Sequence, residues 1–312
     1  MSRRRVISYL AVATAAGLVF GGCATGEDSP GPAGTAPDSA APSTSSAYDP
    51  GSSSSARRPA PGPAMDRATA ALAKAYGSLN QRLADVGANQ KVAIAILPVG
   101  SSAAPIEFGD TRPPQVAWST IKVPLVIAAE RHHRGPMPAS VAAITRSDNN
   151  AAQSLWASLG TDEQAAAAVT AVLRDGGDRR SRVPSTRKRP PYTIFGQTVW
   201  RIDDAARFTA GLVCFPDGER VKQLMGKVDG DQRWGAERMR AQTFVKGGWG
   251  PGTGGGYTVR QLALIRHRDG AQTAVAMVTF GPGTTMSSGT AALNHVGSWL
   301  DQQARHLPRG FC

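Results

Sequence analysis

The sequence predicts a chain of the α/β class built as an α+β sandwich: an antiparallel sheet, terminal helices on one of its faces, and a helical subdomain inserted between the sheet's two halves. Three observations predict it. Strand-like runs cluster early and late in the folded part, the stretch between them is alanine-rich and helical in pattern, and an amphipathic helix stands at each end. Met65 to Val86 carries Ala68, Leu72, Tyr76, Leu79 and Leu83 at helical spacing. Lys91 to Val99 is a β-rich run, and Gly100 to Ala104 turns into a second short strand, Ile106 to Gly109. Helical patterning then dominates from about Ala117 to Met239. Lys246 to Trp249 reads as part of an edge strand. Val259 to His267 and Gln272 to Phe280 are strong strand candidates, and the Asp269-Gly270 step between them marks a hairpin. Met286 to Ala304, with Leu293, Val296, Trp299 and Leu300, closes the chain as an amphipathic helix. Two strands before the insert and three after it make a five-stranded sheet.

Composition narrows the function classes. A chain of 312 residues can bury a full core, and its 41% hydrophobic content excludes both a multi-span membrane protein and a wholly disordered one. Three cysteines are too few for a disulfide-built miniature. The formal charge of +12 is carried mostly by arginine, with no dense basic block interleaved with aromatics, so no nucleic-acid partner is expected.

The N-terminus reads as an address. Arg3, Arg4 and Arg5 precede an apolar run from Val6 to Phe20 that ends in Gly21-Gly22-Cys23. The run is too short to span a bilayer comfortably. Small residues followed by Cys resemble the lipobox of bacterial lipoproteins, although Phe20 stands where Leu is usual. The expectation is an export signal over 1–22, a lipidated Cys23, and a protein held on the outer face of the cytoplasmic membrane; the alternative is plain secretion with cleavage nearby. Residues 23–64 are nearly all Ala, Gly, Pro, Ser and Thr and make a tether, which leaves 65–312 as the folded domain.

Three short motifs carry the chemistry. Ser119 and Lys122 stand three apart at the start of an apolar helix, facing the same side. An unprotonated lysine there can take the serine proton, and a helix N-terminus favours the oxyanion that develops. Alone, the pair is equally an N-cap serine with a solvated lysine. Pro124 crowds the first turn, so local distortion is expected. Ser147-Asp148-Asn149 alone would be a turn or helix cap. Lys246-Gly247-Gly248-Trp249 puts glycines on an edge strand, where backbone can approach a ligand closely. Chance explains any one of these better than it explains all three in this order.

Together they resemble the penicillin-recognising serine hydrolases, which include class A β-lactamases and penicillin-binding proteins with their transpeptidase-like domains. The resemblance covers most of Met65 to Leu307 and is tightest from Ala142 to Leu155. It implies Ser119 as acyl-forming nucleophile, Lys122 as its base, and Ser147 as proton shuttle to the leaving nitrogen. It also implies Asn149 as a binder of the substrate amide, Lys246 as the positive charge facing a substrate carboxylate, and an oxyanion hole from the backbone N–H groups of Ser119 and Trp249, with Gly248 between strand and substrate. Three departures follow. Only 28 positions separate Ser119 from Ser147, so the helical subdomain is trimmed. Gly247 replaces the hydroxyl residue of Lys-Thr-Gly. Counting without gaps from Ser147 puts Arg182-Val183-Pro184 where an aromatic-Glu-Pro belongs, and that Glu positions the water that frees the acyl-enzyme. No carboxylate occurs from Arg179 to Ile202.

The expected activity is therefore a cell-envelope serine hydrolase that forms an acyl-enzyme with β-lactam or peptidoglycan-related amides and releases it slowly. Its rivals are a degenerate relative that binds a wall fragment without turnover and an esterase using the same Ser-Lys pair. No cofactor or metal is expected, because adjacent His132 and His133 diverge on a helix and no acidic or cysteine cluster supports them. The chain is expected to act as a monomer. The basic run Arg179 to Arg189 fits a solvated loop or an attractor of anionic polymer or headgroups. With Cys23 taken by lipid, Cys214 and Cys312 remain to pair in an oxidising compartment.

Overall fold

The computed structural model describes residues 63–312 apart from residue 88. The expected leader, Cys23 and nearly all of the expected tether lie outside the described residues. Helix α1 spans Pro63–Ala84, beginning two positions inside that tether, and leads to strands β1 (Lys91–Pro98) and β2 (Ile106–Gly109). A two-residue strand β3 (Gln115–Val116) precedes a 3-10 turn, Trp118–Ile121, and the helical insert follows as α2 (Lys122–His132), α3 (Pro138–Thr145), α4 (Asn149–Ala157) and α5 (Asp162–Asp175). Strand β4 (Val199–Trp200) and helices α6 (Ile202–Gly211) and α7 (Pro216–Met225) lead back to β5 (Gln242–Pro251), β6 (Tyr257–Arg266), β7 (Gln272–Phe280) and α8 (Met286–Gln302). Among the described residues no helix is long and apolar enough to cross a membrane.

The five-stranded sheet is antiparallel throughout in the order β2-β1-β7-β6-β5, so the two halves meet at β1 and β7 and β5 is an edge. Strand periodicity divides the core in two. Ile94 and Ile96 of β1, Val275 and Met277 of β7 and Ile265 of β6 pack against Leu72 and Leu79 of α1 and Leu293, Val296 and Trp299 of α8. Ala93, Ala95 and Leu97, with Ala274, Ala276, Leu262 and Leu264, face Phe208 of α6 and the helical insert. Terminal helices cover one face and the insert covers the other, as the patterning implied. The β6–β7 turn closes at Gly270, whose φ of +85° suits glycine.

Strands β3 and β4 pair only with each other, and two residues are too few for any period to show in sequence. They matter because Ala117, directly after β3, donates its N–H to Thr198 O at 2.7 Å, which anchors the turn that follows. Cys214 and Cys312 form a disulfide that closes a separation of 98 residues and ties the C-terminus to the segment between α6 and α7.

Candidate active site

Ser119 sits in the 3-10 turn that runs into α2, and this tighter turn is the distortion expected from Pro124, the third residue of the helix. Thr120 donates both its N–H and its hydroxyl to Ala117 O, at 3.1 and 2.6 Å. Trp118 is left-handed, with φ +46°, a conformation that costs a bulky residue roughly 1–3 kcal/mol and persists only where packing enforces it. The packing is present: the Tyr192 ring meets Trp118 edge-on at 5.0 Å, and the Arg189 guanidinium lies 5.7 Å from its ring centre. Ser119 itself is half-buried, and its hydroxyl makes no hydrogen bond among the described residues.

Ser147 links α3 to α4 and is also left-handed, with φ +55°. Asp148 caps α4 by accepting the Ala151 N–H at 2.7 Å. Two lysines converge on Ser147. Lys246 Nζ donates to Ser147 Oγ at 2.9 Å, to Gln232 Oε1 at 2.5 Å and to Gly247 O at 2.8 Å. Lys122 Nζ donates to Ser147 O at 2.5 Å and Asn149 Oδ1 at 2.8 Å, and reaches Ser147 Oγ at 3.5 Å. No hydrogen bond joins Lys122 Nζ to Ser119 in this arrangement.

Both amines are fully buried. Burial disfavours the charged form, and it pushes Lys122 down to about 7 against a partial counter-pull from Asp148. Lys246 lies well below the ordinary lysine range, through burial first and the neighbouring Lys122 charge second. Lys122 is therefore poised to exist as a free amine near neutrality, which is what proton abstraction requires.

Glycines set the approach of β5. A Cβ on Gly248 would lie 2.9 Å from Ser119 N and 2.8 Å from Thr120 N, so only glycine lets this strand run against the serine's turn and bring Trp249 beside it. A Cβ on Gly250 would enter the Trp118 ring at 2.6 Å. At Gly247 the space for a side chain is taken by Trp234, whose Cζ2 would be 2.8 Å from a Cβ there. The missing hydroxyl is thus coupled to an indole packed in its place.

No protein-family model and no curated protein matches the sequence. Solved structures match in shape. The ancestral (GNCA) class A β-lactamase is 21% identical over 74% of this chain and 99% of its own, with a TM-score of 0.53. A β-lactamase from Streptosporangium roseum is 16% identical over 75% and 100%, with 0.58, and one from Burkholderia vietnamiensis is 20% identical over 75% and 97%, with 0.56. The chain has the β-lactamase fold.

Within that fold, the structure brings Lys122, Ser147, Asn149 and Lys246 into direct contact and lays Gly248 against the turn of Ser119. Val183, which gap-free counting sets at the Glu position, is buried in the core that faces the insert, with its N–H donated to Thr170 Oγ1 at 3.1 Å. The stretch that meets the serine's turn is Arg189 to Gln197, where Tyr192 packs on Trp118 and a Cβ on Gly196 would lie 3.8 Å from Trp118 Cα. That stretch also lacks a carboxylate. Gln197 holds it in shape, accepting the N–H groups of Lys188 and Arg189 and donating to Tyr192 O and Thr193 O. The His132 and His133 rings do not diverge as expected but meet edge-on at 5.0 Å, because His133 lies just past the end of α2, and no metal-binding cluster of His, Cys, Asp or Glu occurs among the described residues.

Sequence reasoning missed Gln232, which joins Lys246 and the Gly247 N–H to the carbonyls of Ile144 and Thr145 at the end of α3. Nothing in the polar run Asp229 to Arg233 distinguishes it. It also missed Arg260, fully buried opposite Gly248 on the neighbouring strand β6, which donates to the carbonyls of Gln115, Val116 and Trp200. A charged residue inside a strong strand was a usable signal for that one.

Two substitutions test this geometry. Gly248→Ala should push β5 off the serine's turn, shifting the backbone amide resonances of Ser119 and Thr120 while far-ultraviolet circular dichroism stays native. Val183→Glu should bury an unpaired carboxylate and lower stability by several kcal/mol without conferring hydrolysis. Denaturant unfolding reads the second, and an unchanged midpoint would put residue 183 at the surface instead.

Proposed function

We propose that this chain is a serine hydrolase of the cell envelope, β-lactamase-like in mechanism, that forms an acyl-enzyme on Ser119 with β-lactam or peptidoglycan-related amides and releases it slowly. The observation that carries this reading is the Ser147 hydroxyl set between two buried lysines, one of which, Lys122, follows by a single turn a serine whose own hydroxyl is uncommitted. Lys122, as free amine, takes the proton from Ser119 Oγ as that oxygen attacks the carbonyl carbon. The backbone N–H groups of Ser119 and Trp249 receive the oxyanion. Ser147 passes its proton to the leaving nitrogen and is resupplied from the lysines, while Asn149 holds the substrate amide and Lys246 faces its carboxylate.

Release needs a water and a base to deprotonate it. The segment packed on the serine's turn offers amides, rings and a guanidinium, and none of these is a base at neutral pH. General-base help is worth about 10²–10⁴-fold, so the acyl-enzyme should accumulate unless Lys122 itself activates the water. We further place the domain on the outer face of the cytoplasmic membrane, tethered by a lipid on Cys23, with a small-molecule or wall-derived substrate and no nucleic-acid partner. The leader's sequence supports this, as does the Cys214–Cys312 disulfide, which suits an oxidising compartment.

Stopped-flow mixing with a chromogenic cephalosporin should give a burst of about one equivalent followed by little turnover, with an adduct on Ser119 by intact mass. The burst rate should rise with pH through about 7, because the proton on Lys122 blocks the step. An unmodified Ser119 would defeat the proposal, and steady turnover without an adduct would defeat the slow-release part of it.

A further inference from the structure

A second concave surface lies away from the serine. It is a groove of about 850 Å³ lined by Arg240, Arg266, Arg268, Arg305 and Arg309, with Asp301 the one carboxylate in its wall among the described residues. Asp301 is already bonded to Arg240, and Arg309 pairs with Asp269. Arg266, Arg268 and Arg305 are exposed and have no carboxylate at salt-bridge distance among the described residues. Glu219, which feels Arg266 at longer range, is itself paired with Lys222. The groove thus presents three uncompensated guanidiniums, and guanidinium forks match phosphate oxygens in geometry as well as charge.

Its position says which phosphates. Helices α1 and α8 run antiparallel: Gln90, just past α1, donates to Ser288 O in the first turn of α8, and Tyr76 in mid-α1 meets Trp299 near α8's end at 6.3 Å. From Tyr76 back to Pro63 a helix rises about 20 Å, so α1 starts at the end of the domain where α8 finishes and Arg305 and Arg309 follow. The start of α1 at Pro63 and the groove's Arg305 and Arg309 therefore belong to the same end of the domain. The groove also takes in Gln242, at the start of β5. Lys246 and Trp249 lie four to seven residues along that strand, about 13–23 Å away, so a partner on the groove leaves the serine free.

We propose that this groove docks on the anionic phospholipid headgroups of the membrane to which the chain is tethered, fixing the domain's orientation rather than merely its distance. The proposal rests on the tethered reading given above for the occupant and on the groove for the contact. The full chain and its R266Q/R305Q variant are to be sedimented with phosphatidylcholine vesicles and with vesicles in which a third of the lipid is phosphatidylglycerol, at low and physiological salt. Each basic side chain at an anionic surface strengthens partitioning roughly fivefold, so the variant should lose roughly thirtyfold on the anionic vesicles alone. The R266K/R305K variant keeps the charge and loses the guanidinium fork, so it should bind the anionic vesicles between the parent and R266Q/R305Q. Equal partitioning of parent and R266Q/R305Q overturns the groove's role, while a Cys23→Ala chain tested in parallel reads the anchor separately. Retention by dissolved polyphosphate with no preference for anionic vesicles would assign the arginines to a soluble polymer and overturn the proposal as well.

Discussion

Two amines buried side by side without a hydrogen-bonded carboxylate form the constraint around which the site is built. Lys122 and Lys246 come from different layers, the first from the insert and the second from the sheet edge, and they meet only at Ser147. Their polar partners are neutral: two carbonyls, the amides of Asn149 and Gln232, and the serine hydroxyl. Neutral acceptors satisfy an amine's N–H bonds without supplying the charge that would hold it protonated. The site therefore costs stability, and the sign follows from linkage. Lys122 falls from 10.5 to about 7 on folding, so the penalty is fully present below 7 and is relieved as pH rises from there towards 10.5.

The surrounding structure compensates by being closely fitted. Gly248 and Gly250 remove side chains that would hold β5 away from the serine's turn, and two left-handed residues, Trp118 and Ser147, are fixed by the packing on either side of it. Arg189 joins the wall to the strand: it lies over Trp118 and Tyr192 and donates to Pro251 O and Gly252 O. On one side of the site, Lys122, Lys246, Ser147 and Asn149 form one hydrogen-bonded group. The segment packed on the serine's turn is built of Arg, Pro, Tyr and Gln and holds no carboxylate.

Much of this was legible in the sequence because long elements announce themselves. Both terminal helices, the β6–β7 hairpin and the edge strand with its glycines follow from period and turn chemistry, and Ser119, Lys122, Ser147 and Lys246 follow from motif order. What stayed hidden lies where no period operates. Val183 was set at the Glu position by counting, but an irregular segment does not show in sequence which of its residues pack on the serine's turn, and Tyr192 is the one whose ring packs edge-on there. Gln232 has no local signature, because its task is to bridge elements brought together only by the fold. Trp234 could not be paired with Gly247 from sequence, since the indole and the missing side chain share a space 13 positions apart.

The central claim is that the fold itself makes Lys122 a free amine near neutrality. Nuclear magnetic resonance of the lysine side-chain Cε and Nζ, assigned by comparison with a Lys122→Met chain, measures this without any substrate. The account predicts a titration midpoint near 7 for Lys122. A midpoint near the ordinary 10.5 would contradict it, whatever the chain turned out to hydrolyse.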